Sequence, residues 1–193
     1  MTETLDDYVN GLHVALNTAD TNSISILEQE LKNSWKAKNR IFVCGNGGSA
    51  ANAVHIANDL TYGVTKKLGQ GLNISALPAD LAIMTCLAND EGYDKVFSHQ
   101  LRVQGSKGNI LIALSGSGNS DNIINALKAA KEIGMKTFGV LGFDGGKAKV
   151  LCDVPIHFNV DNMQISEDLQ IVLFHYLTRR LGCITSLERI LGE

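Results

Sequence analysis

The chain has 193 residues, 45% of them apolar and 19% charged, with a formal net charge of −3. That length suits one domain of roughly 100–200 residues, and the apolar share is enough for a real core. The acidic balance argues against a polyanion-binding surface, because nucleic-acid binders concentrate basic charge. The basic clusters Lys66-Lys67, Lys147/Lys149 and Arg179-Arg180 read as solvated surface. No apolar run approaches the roughly 20 residues that span a bilayer. The N-terminal MTETLDDYVN is acidic and has no apolar signal core. Cys44, Cys86, Cys152 and Cys183 are scattered, without a CxxC pair, so reduced thiols and a cytoplasmic protein are expected.

Two amphipathic segments open the chain, Leu5–Thr18 and Ser23–Ala37, with apolar residues at helical spacing (Leu5, Val9, Leu12, Leu16; then Ile24, Leu27, Leu31, Trp35). This helical hairpin, within residues 1–38, cannot bury both its faces alone and is expected between subunits. RIFVCG then reads as a strand, followed by a glycine turn and a helix from about Ser49 to Leu60. LNISAL is a second strand, ending at Pro78, and ADLAIMTCLAND and DKVFSHQLRVQG are helices. GNILIALSGSG is a strand running into a Gly/Ser turn, and SDNIINALKAAKEIG is a helix closed by Gly134. MKTFGVLGF and DVPIHFNV are further strands, and a long helix runs from about Gln164 to Leu181; the tail GCITSLERILGE is ambiguous. Alternating strands and helices imply an α/β fold, a parallel sheet with helices on both faces. Ligands of such sheets bind at the carboxyl ends of the strands, where both Gly/Ser turns fall. One domain is expected.

The first turn, GNGGSA (Gly45–Ala50), formally satisfies GxGxxG/A. A dinucleotide site would also need an acidic residue about 20 positions on, at the end of the next strand. That neighbourhood is YGVTKKLG, and Asp80 comes too late. A triphosphate-binding loop would need Lys and a hydroxyl that are absent. The second turn, LSGSGNSDN (Leu114–Asn122), places Ser115, Ser117 and Ser120 in one loop at a helix start. Backbone N–H groups in such a loop form an anion-binding nest, aided by the helix dipole. The plainer alternative is that these serines only cap the helix and fill a tight turn. Three serines interleaved with two glycines favour a phosphomonoester.

Together the stretches CGNGGSAANAVHIANDL, CLANDEGYDKVFSHQL, ALSGSGNSDNIINAL and LQIVLFHYL resemble the sugar isomerase (SIS) domain family, and within it the phosphoheptose isomerases. The resemblance extends over nearly the whole chain. It implies a flavodoxin-like α-β-α sandwich and a homotetramer with sites between subunits. It also implies conversion of sedoheptulose 7-phosphate to a glycero-manno-heptose 7-phosphate, feeding lipopolysaccharide, capsule or another glycoconjugate. By this resemblance Ser115, Ser117 and Ser120, with Gly116 between them, would hold the phosphate. Asn46, Gly47, Gly48 and Ser49 would line the sugar, and Asp90 would approach it. Some SIS relatives are instead phosphosugar sensors or scaffolds that bind a replication initiator, and isomerisation of a pentose or hexose phosphate is a third option. No DNA-binding helix-turn-helix precedes the domain.

Aldose–ketose isomerisation needs a base at carbon, an acid at oxygen and often an electrophile at the carbonyl. His55 and Asp59 are four apart on one helix and share a face; Glu167 and His175 lie on the last long helix. Such an oxygen/imidazole set can hold Zn²⁺, so His55, Asp59, Glu167 and His175 are candidate ligands. Asp59 or Glu167 is the candidate base, and His175 the acid or a ligand. Two positions depart from the resembled pattern, which has Glu at 59 and Gln at 167. Asp59 is one methylene shorter, and Glu167 adds a carboxylate. The register there leaves Asp168 and Gln164 as further candidates. Alternatives remain: a satisfied core His55, a salt-bridged Asp59, and Glu167 and Asp168 as a solvated helix start. His175, in the apolar IVLFHYL, is expected to be buried. His13, His99, His157 and Trp35 are expected in structural or interface roles, His99 with a possible reach to a neighbouring subunit's site.

Overall fold

The computed structural model describes residues 3–65 and 70–191, the side chains of 65 and 184–191 excepted. Lys66-Lys67 lies outside the described residues. In chain order the elements are α1 (Leu5–Leu16), α2 (Thr21–Ala37), β1 (Ile41–Cys44), α3 (Gly47–Thr61), β2 (Ile74–Ala76), α4 (Leu81–Asp90), α5 (Ser98–Gln104), β3 (Ile110–Ser115), α6 (Asp121–Ile133), β4 (Lys136–Leu141), α7 (Gly146–Leu151), β5 (Val154–His157) and α8 (Met163–Leu191).

Local chemistry fixes the ends. The Thr4 hydroxyl accepts from Asp7 N while the Asp7 carboxylate accepts from Thr4 N, a capping box at the start of α1. Asp20 caps α2 and Asp80 caps α4 through their carboxylates. Gly134 closes α6 in the left-handed region at φ 87°, as its position at the end of the apolar period predicts. Two elements differ from the sequence expectation. The six-residue α7 is too short, and too rich in Lys and Gly, for helical periodicity to show. The tail continues α8 past Leu181 to Leu191.

The five strands are all parallel, in the order β2-β1-β3-β4-β5. Successive strand residues point to opposite faces, and both faces are covered, so the strands read as unbroken apolar runs. On one face Ile41, Val43, Ile112 and Val140 pack with Leu27 and Leu31 of α2, Ile56 and Leu60 of α3, and Leu173 and Leu177 of α8. On the other, Phe42, Cys44, Leu111 and Ala113 pack with Phe97 and Leu101 of α5 and Ile123 and Leu127 of α6. From β1 the chain steps to β2 on one side and then to β3 on the other. The crevice at that reversal is where ligands of open parallel sheets bind. The turns after β1 and β3 flank it. Among the described residues no helix is long and apolar enough to cross a membrane.

An ion triad fastens α2 to α8: the buried Glu28 carboxylate takes Lys32 Nζ at 2.6 Å and Arg180 at 3.3 Å. Burial alone would raise its pKa, but the hydrogen bonds from Lys32 and Arg180 outweigh it and hold the carboxyl below its ordinary value. A depressed carboxylate stabilises the fold above its unfolded pKa. That contribution is lost as pH falls through the lower folded value. Arg180 is half exposed and solvent screens it, so Glu28→Ala is expected to cost only about 1–2 kcal/mol. Urea denaturation at pH 7 checks this, and the difference between the two proteins should shrink in acid.

Candidate active site

The two turns meet at the crevice. Gly45 lets the chain fold back so tightly that a Cβ there would stand 2.6 Å from the Ser49 carbonyl oxygen. Asn46 is the residue before α3, but its side chain does not cap that helix. Its amide instead pairs with Asn122 of α6: Asn46 Nδ2 donates to Asn122 Oδ1 at 2.9 Å, and Asn122 Nδ2 donates to Asn46 Oδ1 at 2.8 Å. Tyr93 Oη donates to the same Asn46 Oδ1 at 3.0 Å.

In the serine loop, Ser115 Oγ accepts from Gly118 N at 3.0 Å and Ser117 Oγ accepts from Asn119 N at 3.3 Å. Both use a lone pair and keep the O–H to donate. Ser120 precedes α6, but its hydroxyl makes no capping bond. Helix capping therefore does not account for these serines. The loop is braced by α7: Ala148 N donates to Gly118 O at 2.9 Å, and Lys147 N to Asn119 Oδ1 at 3.1 Å.

Asn46, Ser49, Ser115, Gly116, Ser117, Ser120, Met163 and Glu167 line a cleft of about 90 Å³. That is well below the roughly 300 Å³ at which whole-ligand pockets begin, so it suits one phosphate-sized group with the rest of a ligand reaching beyond. No cation lines it. An anion there would rely on hydroxyls, backbone N–H groups and the dipoles of α3 and α6. Gly47 (φ 54°) and Gly48 form the first turn of α3. A Cβ at Gly48 would overlap the Glu167 carboxylate, so glycine there is what lets Glu167 lie against the helix start.

A second centre lies farther along α3 and α8. His55 Nε2 and His175 Nε2 are 2.9 Å apart, and Asp59 Oδ2 is 3.4 Å from the first and 3.5 Å from the second. Among the described residues this is the group of His, Cys, Asp and Glu side chains whose geometry could hold a metal ion. A tetrahedral ion with bonds of about 2.0–2.2 Å separates its ligand atoms by about 3.3–3.6 Å. The two Asp59 spacings fall within that range and the His55–His175 spacing of 2.9 Å falls short of it, so the two imidazoles would part slightly around an ion, with the fourth position left open. Two facing Nε2 atoms cannot both donate to each other, so metal-free the pair needs one ring to supply the proton and the other to accept it.

Glu167 is not in this group. It stands at the serine cleft, eight residues before His175, which on a helix is about 12 Å. His175 is not buried as expected: its side chain is 52% exposed and that of His55 47%, because α8 turns its apolar side inward with Leu173, Phe174 and Leu177. Asp168 is taken by Tyr8 Oη of α1 at 2.8 Å, and Gln164 is exposed and outside the cleft lining. Asp90 does not line the cleft either; it accepts from Asn89 at 2.7 Å at the end of α4. His157 bridges Lys149 and the Phe143 carbonyl, a structural role.

Sequence reading missed Asn122, Tyr93, Asn52 and Gln170. Asn122 follows Ser120 closely enough for the Gly/Ser turn itself to flag it. Gln170, 1% exposed, donates to Ser49 Oγ at 3.0 Å and accepts from Asn52 at 2.9 Å, while Asn52 also donates to the Glu167 carbonyl. No local pattern marks this clamp between α3 and α8.

The SIS-domain family model matches residues 6–142. The phosphoheptose isomerase of Aliarcobacter butzleri is 44% identical over 150 residues, 78% of this chain and 77% of that protein. The chain belongs to the phosphoheptose isomerases of the SIS-domain family. The solved phosphoheptose isomerase of Neisseria gonorrhoeae superposes with a TM-score of 0.79 at 31% identity, over 91% of this chain and 95% of that one. The Francisella tularensis phosphoheptose isomerase, at 22% identity, shares the fold with a TM-score of 0.84 over 90% and 92% of the two chains. Within the phosphoheptose isomerases, then, this chain places its serine loop beside the starts of α3 and α8 and its His–Asp–His group farther along the same two helices.

Proposed function

We propose that this protein interconverts sedoheptulose 7-phosphate and D-glycero-D-manno-heptose 7-phosphate through an enediol. The observation that carries the reading is the spacing of its two centres. α3 and α8 both run from the serine cleft toward His55, Asp59 and His175, over about eight residues or 12 Å. An open seven-carbon chain has six C–C bonds of about 1.5 Å and a terminal phosphate ester, on the order of 10 Å end to end. Phosphate among Ser115, Ser117 and Ser120 would set C1 and C2 beside the histidines.

Asp59 is the base in this account, because it stands at the histidine end and Glu167 does not. With Oδ2 shared by the two imidazoles, Oδ1, which meets only a long contact from Asn58 Nδ2 at 3.4 Å, is left to take a proton from C1 of the ketose. The proton held there exchanges with solvent before C2 is protonated, while a proton passes from O1 to O2. Glu167, beside the cleft, accepts hydrogen bonds from sugar hydroxyls. His55, Asp59 and His175 would hold Zn²⁺ through the atoms that now face one another. When bound, the ion would polarise the carbonyl oxygen and stabilise charge in the enediolate. Metal analysis of untagged protein is expected to give about one zinc per chain, and His55→Ala to lose it. Zinc-free protein at full activity would contradict the ligand set.

Val54 on α3, Tyr62 just after it, and Val172 and Tyr176 on α8 stand exposed on the helices that carry the histidines, and Leu5, Val9 and Leu16 stand exposed on α1. These faces support a homo-oligomer, a tetramer by family likeness, that covers the sites between subunits. A cytoplasmic enzyme supplying heptose for surface glycoconjugates fits this reading. Assay of a panel of pentose, hexose and heptose phosphates tests the substrate: turnover confined to the heptose is the expected result.

A further inference from the structure

We infer that Asn122 and Tyr93 are positioning residues that fix Asn46 as a hydrogen-bond donor to the bound sugar phosphate. The inference rests on the isomerase reading and adds two residues to its site.

The argument is a count of lone pairs and protons. Asn46 Oδ1 can accept two hydrogen bonds, and it receives two, from Asn122 Nδ2 at 2.8 Å and Tyr93 Oη at 3.0 Å. Asn46 Nδ2 has two protons, and one goes to Asn122 Oδ1 at 2.9 Å. The polar capacity left to this side chain is a single N–H. Asn46 lines the cleft, so that N–H is what it offers a ligand. A ligand oxygen from phosphate, hydroxyl or carbonyl is matched, and a ligand donor is not.

The reciprocal amide pair alone would fit equally well with both amides turned over. In the arrangement of the structure Tyr93 Oη donates to Asn46 Oδ1. Because a phenol can also accept, it is the electron-rich oxygen of a phosphate or carbonyl in the cleft, which needs the N–H, that selects this arrangement over the turned one. Each partner is itself held. Asn122 is 2% exposed in the second position of α6. The turn Tyr93–Lys95 is stapled to α6 by Asn125, whose Nδ2 donates to the Asp94 carbonyl at 3.0 Å. The pair also joins the start of α3 to the start of α6, so it sets the two Gly/Ser turns at one spacing.

A double-mutant cycle tests this, with sedoheptulose 7-phosphate binding read by calorimetry beside turnover. Asn122→Asp keeps the acceptor for Asn46 Nδ2 and removes the donor to Oδ1. Loss of one oriented hydrogen bond is expected to weaken binding about fivefold to tenfold. Tyr93→Phe, at a half-exposed position that tolerates the change, is expected to act in the same direction by a smaller factor. In an Asn46→Ala background neither substitution should weaken binding further, because both act through the Asn46 amide. Equal losses in both backgrounds, or no loss for either variant in the Asn46 protein, would overturn the inference. Wild-type protein that binds the sugar phosphate without turning it over would overturn the isomerase reading and leave the cycle readable.

Discussion

Replacing His175 with alanine is expected to lower kcat/KM by about 10³-fold or more, with little change in melting temperature. The imidazole is half exposed, and the polar and ring partners it meets among the described residues are His55 and Asp59, so little packing is lost. Function loses a great deal. Positioned proton transfer alone contributes about 10²–10⁴-fold, and loss of an ion-holding side chain removes carbonyl polarisation as well. Thermal unfolding and steady-state kinetics on the same preparation separate the two effects. A variant retaining more than a tenth of wild-type kcat/KM would remove His175 from the reaction.

Gly118→Ala is expected to weaken phosphate binding more than a hundredfold and to destabilise the fold by about 2–4 kcal/mol. Gly118 has φ 65°, and a Cβ there would overlap the Gly145 carbonyl oxygen, a backbone atom that cannot swing aside. The same residue donates its N–H to Ser115 Oγ and accepts Ala148 N. The substitution therefore pushes apart the serine loop and the brace that supports it. Isothermal titration with inorganic phosphate and urea denaturation read the two effects. Wild-type phosphate affinity in this variant would mean that the anion is held elsewhere.

Much of this was legible in the sequence because it depends on local pattern. The parallel sheet follows from unbroken apolar runs such as IFVC and ILIALS alternating with helical periods. The Gly/Ser loop after β3 follows from serine and glycine spacing. His55 and Asp59 share a helix face by their four-residue offset. The remainder depends on relations between segments. Whether Glu167, Asp168 or Gln164 faces the site turns on the rotation of α8. That rotation is set by Leu169, Leu173 and Leu177 against the sheet and by Tyr8 taking Asp168. The exposure of His175 has the same cause: the apolar run around it supplies an inward stripe and leaves its own position outside. Gln170 and Asn122 act through bonds to residues 121 and 76 positions away, beyond any local signal.

The central claim is an enediol passing between C1 and C2 of a seven-carbon sugar phosphate anchored at the serine loop. The most direct measurement is NMR of sedoheptulose 7-phosphate incubated with the protein in D₂O, with and without added Zn²⁺. The account predicts an aldoheptose 7-phosphate carrying deuterium at C2, formed faster with the metal and not at all by Asp59→Asn. No aldoheptose in either condition, or an aldoheptose whose C2 proton derives wholly from substrate with solvent excluded, would contradict it.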